Sequence, residues 1–309
     1  MKSNVIIGSR KSRLAMIQSN IVKDALSDRW PEINFSIKEV TTQGDVDRTS
    51  SLEKIGGKGV FVKELEYELL NGDIDFAVHS LKDVMPRLPE QLMIGCIPPR
   101  ESPYDCLITS TPMKSLDDLP QGARVGTGSS RRMGQLLHLR PDLKPVTLRG
   151  NVETRVNRVH DDDIDAIVIA EAGLNRLKLD LGDLYRLSLA DVMLPAVGQG
   201  AMAIECRRED TDTQEIIAAI NDQETNDCVT IERDFLRTVG GDCTNPIGGF
   251  ATQSGDQFHF KGMITSVDGV HVFEDKRDGD LTDRLGYTSA KKLISEGALE
   301  NTFGQGEEN

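Results

Sequence analysis

Long apolar runs are missing from this chain: none of its 309 residues falls in a stretch approaching the ~20 apolar residues that span a bilayer. The N-terminal run VIIG is too short for the core of a secretory signal and reads as a first strand, so a cytoplasmic location is expected. Cysteine is scarce. The five present are odd in number and form no CxxC pair, which excludes a disulfide framework and a Cys-rich zinc site. The five histidines are scattered, no His/Asp/Glu group has metal-ligand spacing, and no metal is expected. There is no P-loop ending GK[ST], no GxGxxG and no nucleophile elbow. Positive charge is in deficit: 36 Lys and Arg against 50 Asp and Glu give a net charge of −14. That balance argues against a nucleic-acid or anionic-membrane partner.

What is present is an alternation of short β-rich runs with helical periods. Strands are predicted at 5–7, 35–40, 74–78, 106–109, 124–126, 146–148, 166–170 and 201–205. Between them lie a helix capped by Ser12, with Leu14, Ile17, Ile21, Val22, Ala25 and Leu26 on its apolar face, and helices beginning near Val60, Ser130, Val152 and Gly173. Such alternation predicts α/β folding with mostly parallel, doubly wound sheets. Residues 42–59 are polar, glycine-rich and without period, which reads as a lid loop. Two helices, at 213–221 and 225–239, precede a different pattern, a hairpin about Asp268-Gly269 and a helix near 289–295, which makes a smaller α+β domain. The length fits two or three domains.

The chemistry-bearing residues gather at turns. Arg10, Arg13, Arg100, Arg131, Arg132, Arg149, Arg155 and Arg176 fall at or near strand-to-helix turns rather than along helix faces. Guanidinium forks bind carboxylates bidentately, so an acidic chain with arginines at such turns predicts an acidic small-molecule ligand. GTGSSRR (126–132) and LRGNVETR (148–155) each follow a strand and open a helix, offering backbone N–H groups, hydroxyls and arginines to an anion. VHSLKDV (78–84) ends a strand and brings Lys82 and Asp83 to the edge where ligands of open α/β sheets bind. A carboxylate there can hold a substrate N–H and stabilise a developing cation, or simply pair with a basic neighbour. Cys243 lies in GGDCTNPIGG, a tight loop in which a thiol is reachable, unlike Cys96, Cys106, Cys206 and Cys228 in apolar or periodic runs. His79 reads as a scaffold histidine.

Taken together, GSR with LA (8–15), GGKGVFVKELE (56–66), VHSLKDV, VGTGSSRR, LRGNVETR, AGLNRL (172–177), LPAVGQGA (194–201) and the cysteine loop resemble the porphobilinogen deaminase (hydroxymethylbilane synthase) family, in the family's order over about residues 5–250. The resemblance implies a transferase that joins four porphobilinogen molecules head to tail, with loss of ammonia, on a covalent dipyrromethane primer. It implies two domains like those of periplasmic binding proteins, at 1–99 with 200–219 and at 100–199, plus a third at 220–309 bearing the cysteine. It further implies Asp83 as the catalytic carboxylate and Cys243 as the thioether anchor. Lys82, Asp83, Thr127, Ser129, Arg131, Arg132, Arg155 and Gly173 would hold the cofactor, and Arg10, Ser12, Gln18, Arg149, Arg176 and Gln199 the substrate. Lys54, Lys58 and Phe61 would belong to the lid. A monomer is expected. The chain departs from the family in having Asp242 where Gly is usual, Gly128 and Ser130 where Ser and Leu are usual, and Met85 before Pro86. A carboxylate at 242 should raise the pKa of the neighbouring thiol and slow cofactor attachment.

Two other readings use the same residues. A non-enzymatic anion-binding protein explains the arginine turns but neither Cys243 nor Asp83, and would carry no covalent adduct. A thiol enzyme using Cys243 directly needs a histidine base, and the nearest in sequence, His259, falls on a predicted structural strand.

Overall fold

The computed structural model describes residues 2–41, 62–161, 163–242 and 244–302. The chain divides into two units, one formed by 1–101 with 200–227 and the other by 102–199 with 228–309. In chain order the first unit contributes β1 (Asn4–Arg10), β2 (Asn34–Val40), β3 (Phe76–Ser80) and β4 (Leu92–Cys96). The second follows with β5 (Asp105–Thr109), β6 (Arg124–Gly126), β7 (Lys144–Val146), β8 (Ala166–Ala170) and β9 (Tyr185–Ser188). The chain then returns to the first unit as β10 (Met202–Arg207), and β11 (Ile247–Ser254), β12 (Gln257–Thr265) and β13 (Val272–Gly279) complete the second.

Both five-stranded sheets share one plan. Their orders are β2-β1-β3-β10-β4 and β7-β6-β8-β5-β9. In the first, β1 pairs in parallel with β2 and β3, and β10 runs antiparallel between β3 and β4. In the second, β6 pairs in parallel with β7 and β8, and β5 is the antiparallel strand, next to β8 and β9. The strand entering each sheet from outside its βαβ run is therefore the one that reverses direction. β11, β12 and β13 form a separate antiparallel meander.

Helix Arg13–Arg29 shows how local chemistry sets packing. Ser12 Oγ accepts the Ala15 N–H at its start, as an N-cap should. Its buried residues are Ala15, Gln18, Ser19, Val22 and Leu26, at helical spacing. Ile21, expected on this face, is exposed. The helix is turned so that two polar residues go inward, and Gln18 Nε2 donates to Ser80 Oγ at 3.0 Å. Beneath it, Ile7, Leu26, Phe76 and Ile204 are closed off from solvent in one apolar cluster, each worth about 1.5–3 kcal/mol of burial. β3 begins two residues later than predicted, which places His79 and Ser80 in the strand. β7 is correspondingly earlier, at 144–146 rather than 146–148.

In the second unit, Phe235 of helix Gln223–Val239 packs on Phe260 of β12 with ring centroids 5.3 Å apart. Glu232 of the same helix is fully buried. Its two oxygens accept the Gly198 N–H at 2.7 Å and the Ala251 N–H at 3.0 Å, tying the VGQG turn to β11. The Asp268-Gly269 turn docks on helix Ser130–Leu139. Gly269 has φ +73°, and a Cβ there would clash with the His138 amide nitrogen and sit 2.7 Å from the Gly134 carbonyl oxygen. Only glycine meets both demands. No described helix is long and apolar enough to cross a membrane, and no group of metal-ligating side chains occurs among the described residues.

Candidate active site

In the first unit the candidate site is the carboxyl end of β3. The chain leaves the strand through a short turn, Leu81–Asp83, pinned by the buried Leu81 side chain and by the Leu81 N–H to the Ala201 carbonyl at 3.0 Å. The turn leaves Lys82 and Asp83 half-buried. Asp83 makes no side-chain hydrogen bond or ion pair among the described residues. With Arg10, Ser12, Gln18, His79 and Ser80 it lines a cavity of about 70 Å³. Arg10 arrives from the end of β1 and Ser12 and Gln18 from the following helix, so these two elements converge there with the end of β3. His79 is the wall. Its Nε2 lies 2.9 Å from Glu205 Oε2, and both side chains are buried. Burial, and then the Glu205 charge, push the Glu66 carboxyl above its usual range.

In the second unit the two arginine turns lie side by side. Thr127 Oγ1 accepts the Ser129 N–H at 3.2 Å, and Ser129 caps helix Ser130–Leu139. At Gly128 a Cβ would lie 2.5 Å from the Leu148 carbonyl oxygen, so the missing side chain lets the 126–132 turn close on the 148–155 turn. Arg131 and Arg132, read as turn arginines, are in fact buried, at 3% and 5% exposure. Arg131 Nη1 lies 2.8 Å from Asp105 Oδ2, and Arg132 Nη2 lies 2.8 Å from Asp105 Oδ1. Helical periodicity turns both inward once the helix packs on the sheet, a direction that turn position alone does not give. Arg149 and Arg176 are half-buried. Arg155 Nε donates to the Gly150 carbonyl at 2.8 Å. Gly173 sits in helix Glu171–Leu177, where a Cβ would come 3.3 Å from Val152 Cγ2. Gln199 is buried, with Nε2 donating to the Pro103 carbonyl at 2.7 Å and to Asp105 Oδ1 at 3.0 Å.

The family profile "Porphobilinogen deaminase, dipyromethane cofactor binding domain" matches residues 5–215, and "Porphobilinogen deaminase, C-terminal domain" matches 226–295. The porphobilinogen deaminase of Limosilactobacillus reuteri (strain DSM 20016) is 50% identical over 295 residues, covering 96% of this chain and 97% of that protein. The chain belongs to the porphobilinogen deaminase family. A second relative, the porphobilinogen deaminase of Listeria welshimeri, is 49% identical over 300 residues, 96% of this chain and 97% of its own. Among solved structures, the periplasmic aliphatic sulphonate binding protein SsuA of Escherichia coli matches over 77% of this chain and 71% of its own at 16% identity, with a TM-score of 0.43. Membership in the porphobilinogen deaminase family makes the chain an enzyme of tetrapyrrole biosynthesis that condenses pyrroles and contains the dipyrromethane cofactor domain.

The second unit has the chemistry such a cofactor requires. A dipyrromethane of this family carries acetate and propionate groups. Around Asp105 two guanidinium groups face one carboxylate, leaving one positive charge in excess, and Arg131 Nε is a buried donor with no hydrogen-bond partner among the described residues. An acidic group satisfies both deficits. Cys243, Lys54, Lys58 and Phe61 lie outside the described residues. Next to Cys243 in sequence, Asp242 Oδ1 accepts from the Thr244 N–H at 2.9 Å and from its hydroxyl at 2.6 Å, so the departure from glycine is built into the loop. The other four cysteines are buried. Burial pushes Cys96 and Cys106 up to about 12 and Cys206 to about 11, which makes these three poor nucleophiles.

Asp105, Glu205 and Glu232 belong to none of the motifs that mark the candidate site in the sequence. Their signal was there in two cases: Asp105 begins the apolar run DCLIT, and Glu205 interrupts MAIEC. A carboxylate inside a buried strand needs a buried partner.

Proposed function

We propose that the strand-end turn of the first unit carries the reaction of this family member, and that its arginines carry the acidic side chains of the pyrroles. Porphobilinogen loses its aminomethyl nitrogen as ammonia, and positive charge then spreads into the pyrrole ring. A carboxylate that accepts the ring N–H stabilises that charge. Asp83 is this group, and it also relays protons. The observation that supports the role is its half-buried carboxylate on the cavity wall, with no side-chain partner among the described residues. An acceptor with no side-chain partner among the described residues is available to a ligand.

Arg10, Ser12 and Gln18, grouped on the same cavity, and Arg149, Arg176 and Gln199 of the second unit serve the substrate's acetate and propionate. Lys82, Thr127, Ser129, Arg131, Arg132, Arg155 and Gly173, with Asp83, serve the dipyrromethane. When bound through the sulfur of Cys243, that group supplies the pyrrole end onto which substrate units are joined. The segment 42–59 with Lys54 and Lys58, together with Phe61, acts as a lid that keeps water from the reactive substrate. The working molecule is a cytoplasmic monomer of three domains, at 1–99 with 200–219, 100–199 and 220–309. Its net charge of −14 disfavours nucleic acid as a partner.

The test is the intact mass of the purified chain beside Cys243→Ser. An excess equal to two porphobilinogen units less two ammonias, absent from the variant, supports the anchored cofactor. A bare polypeptide mass in both, persisting after incubation with porphobilinogen, refutes it.

A further inference from the structure

Asp105 is wholly buried at the start of β5, and it belongs to none of the motifs that carry the family resemblance. Four nitrogens from three side chains meet it. Its Oδ1 accepts from Arg132 Nε at 3.0 Å and Gln199 Nε2 at 3.0 Å and pairs with Arg132 Nη2 at 2.8 Å, while Oδ2 faces Arg131 Nη1 at 2.8 Å. The arginines are fixed from their other sides as well. Arg132 Nη1 donates to the Val168 carbonyl at 3.1 Å, and Arg131 Nη1 to the Leu194 carbonyl at 2.7 Å. Gln135 holds that same Leu194 through its backbone N–H at 2.7 Å and its carbonyl at 3.0 Å. Two like charges this close and this far from water repel strongly unless a counter-charge lies between them.

We propose that Asp105 is the positioning residue of the arginine pair, setting both the direction of the two guanidinium groups and the single unit of positive charge left for an acidic ligand. The inference rests on the reading that Arg131 and Arg132 hold the dipyrromethane, and deepens it by naming what makes them able to. A second carboxylate in place of Gln199 would cancel the excess charge. Loss of Asp105 would double it and free both guanidinium groups to turn away. Arg132, with Nε, Nη1 and Nη2 all engaged, is the braced member. Arg131, whose buried Nε has no hydrogen-bond partner among the described residues, is the member with a donor left to give.

The experiment follows cofactor loading rather than turnover. Cofactor-free full-length chain is mixed with porphobilinogen, and the gain of two pyrrole units is timed by intact mass for wild type, D105N, R131M and D105N/R131M. If Asp105 acts through Arg131, each single variant slows loading about tenfold, a typical coupling within one hydrogen-bonded network, and the double variant is no slower than R131M. Multiplication of the two effects, to about a hundredfold, or loading of D105N at the wild-type rate, overturns the proposal. Should D105N fail to fold by circular dichroism, D105N/R132M removes the uncompensated cation. Loading equal to R132M then supports the proposal, and a further tenfold loss, the same coupling size, overturns it. Wild-type loading by both R131M and R132M would instead sink the arginine reading itself, and this inference with it.

Discussion

Asp83→Asn should separate activity from stability. The substitution keeps the shape of the side chain and removes its charge. Because Asp83 is half-buried and makes no side-chain bond among the described residues, that part of the fold loses no bond, and unfolding free energy should change by no more than about 0.5 kcal/mol. Catalysis should respond differently. Removing one preorganised electrostatic partner of a developing charge costs about 10²–10³ in kcat, or about 3–4 kcal/mol of transition-state stabilisation. The contrast with Asp105 gives the scale, since breaking a buried ion pair from one side costs about 3–5 kcal/mol of stability. The assays are urea unfolding, intact mass to establish that cofactor is present, and porphobilinogen consumption by a pyrrole-specific colour reaction, with kcat and KM separated. A holo variant with kcat within tenfold of wild type, the least that a catalytic acid or base role predicts being about a hundredfold, refutes the assignment. So does a stability loss large enough to account for the activity lost.

Three further outcomes follow from other parts of the molecule. Asp242→Asn keeps an acceptor for Thr244 and removes a charge beside the anchor thiol, so the thiol pKa falls and cofactor attachment at neutral pH should quicken about threefold; an unchanged or slower rate by timed intact mass refutes it. Gly269→Ala sets a Cβ against the backbone of helix Ser130–Leu139 at positive φ, and should cost about 2–4 kcal/mol in urea unfolding; a neutral effect would mean that the turn does not dock there. Burial pushes the Asp210 carboxyl up, but hydrogen bonds from Lys2, Thr213 and Arg207 outweigh it and bring the group to about 2. Its folded value lies below the unfolded ~3.9, so the stabilisation is present above about pH 4 and fades as pH falls toward about 2. Asp210→Asn, which can still cap helix Thr211–Ala218, should lose about 1 kcal/mol at pH 7 after allowance for solvent screening, with a flatter acid limb; an acid limb as steep as wild type refutes it.

The sequence alone determined the α/β alternation, the family, and which turns carry arginine, lysine, aspartate and cysteine. Those features are local. A strand followed by a capped helix, or glycines around a thiol, need only neighbouring residues to be recognised, and β1, β5, β6 and β8 fall close to where their β-rich runs place them. Three things were decided only by tertiary structure. The direction of Arg131 and Arg132 depended on which side of helix Ser130–Leu139 faces the sheet, and the face is set by packing rather than by the turn that precedes it. The inward turn of Gln18 and Ser19 at the expense of Ile21 had the same cause. Finally, Asp105 meets Arg132 27 residues away and Gln199 94 residues away. Such a pairing has no period and no spacing to betray it, because the contact is made by strands and helices that come together only when the sheet is assembled.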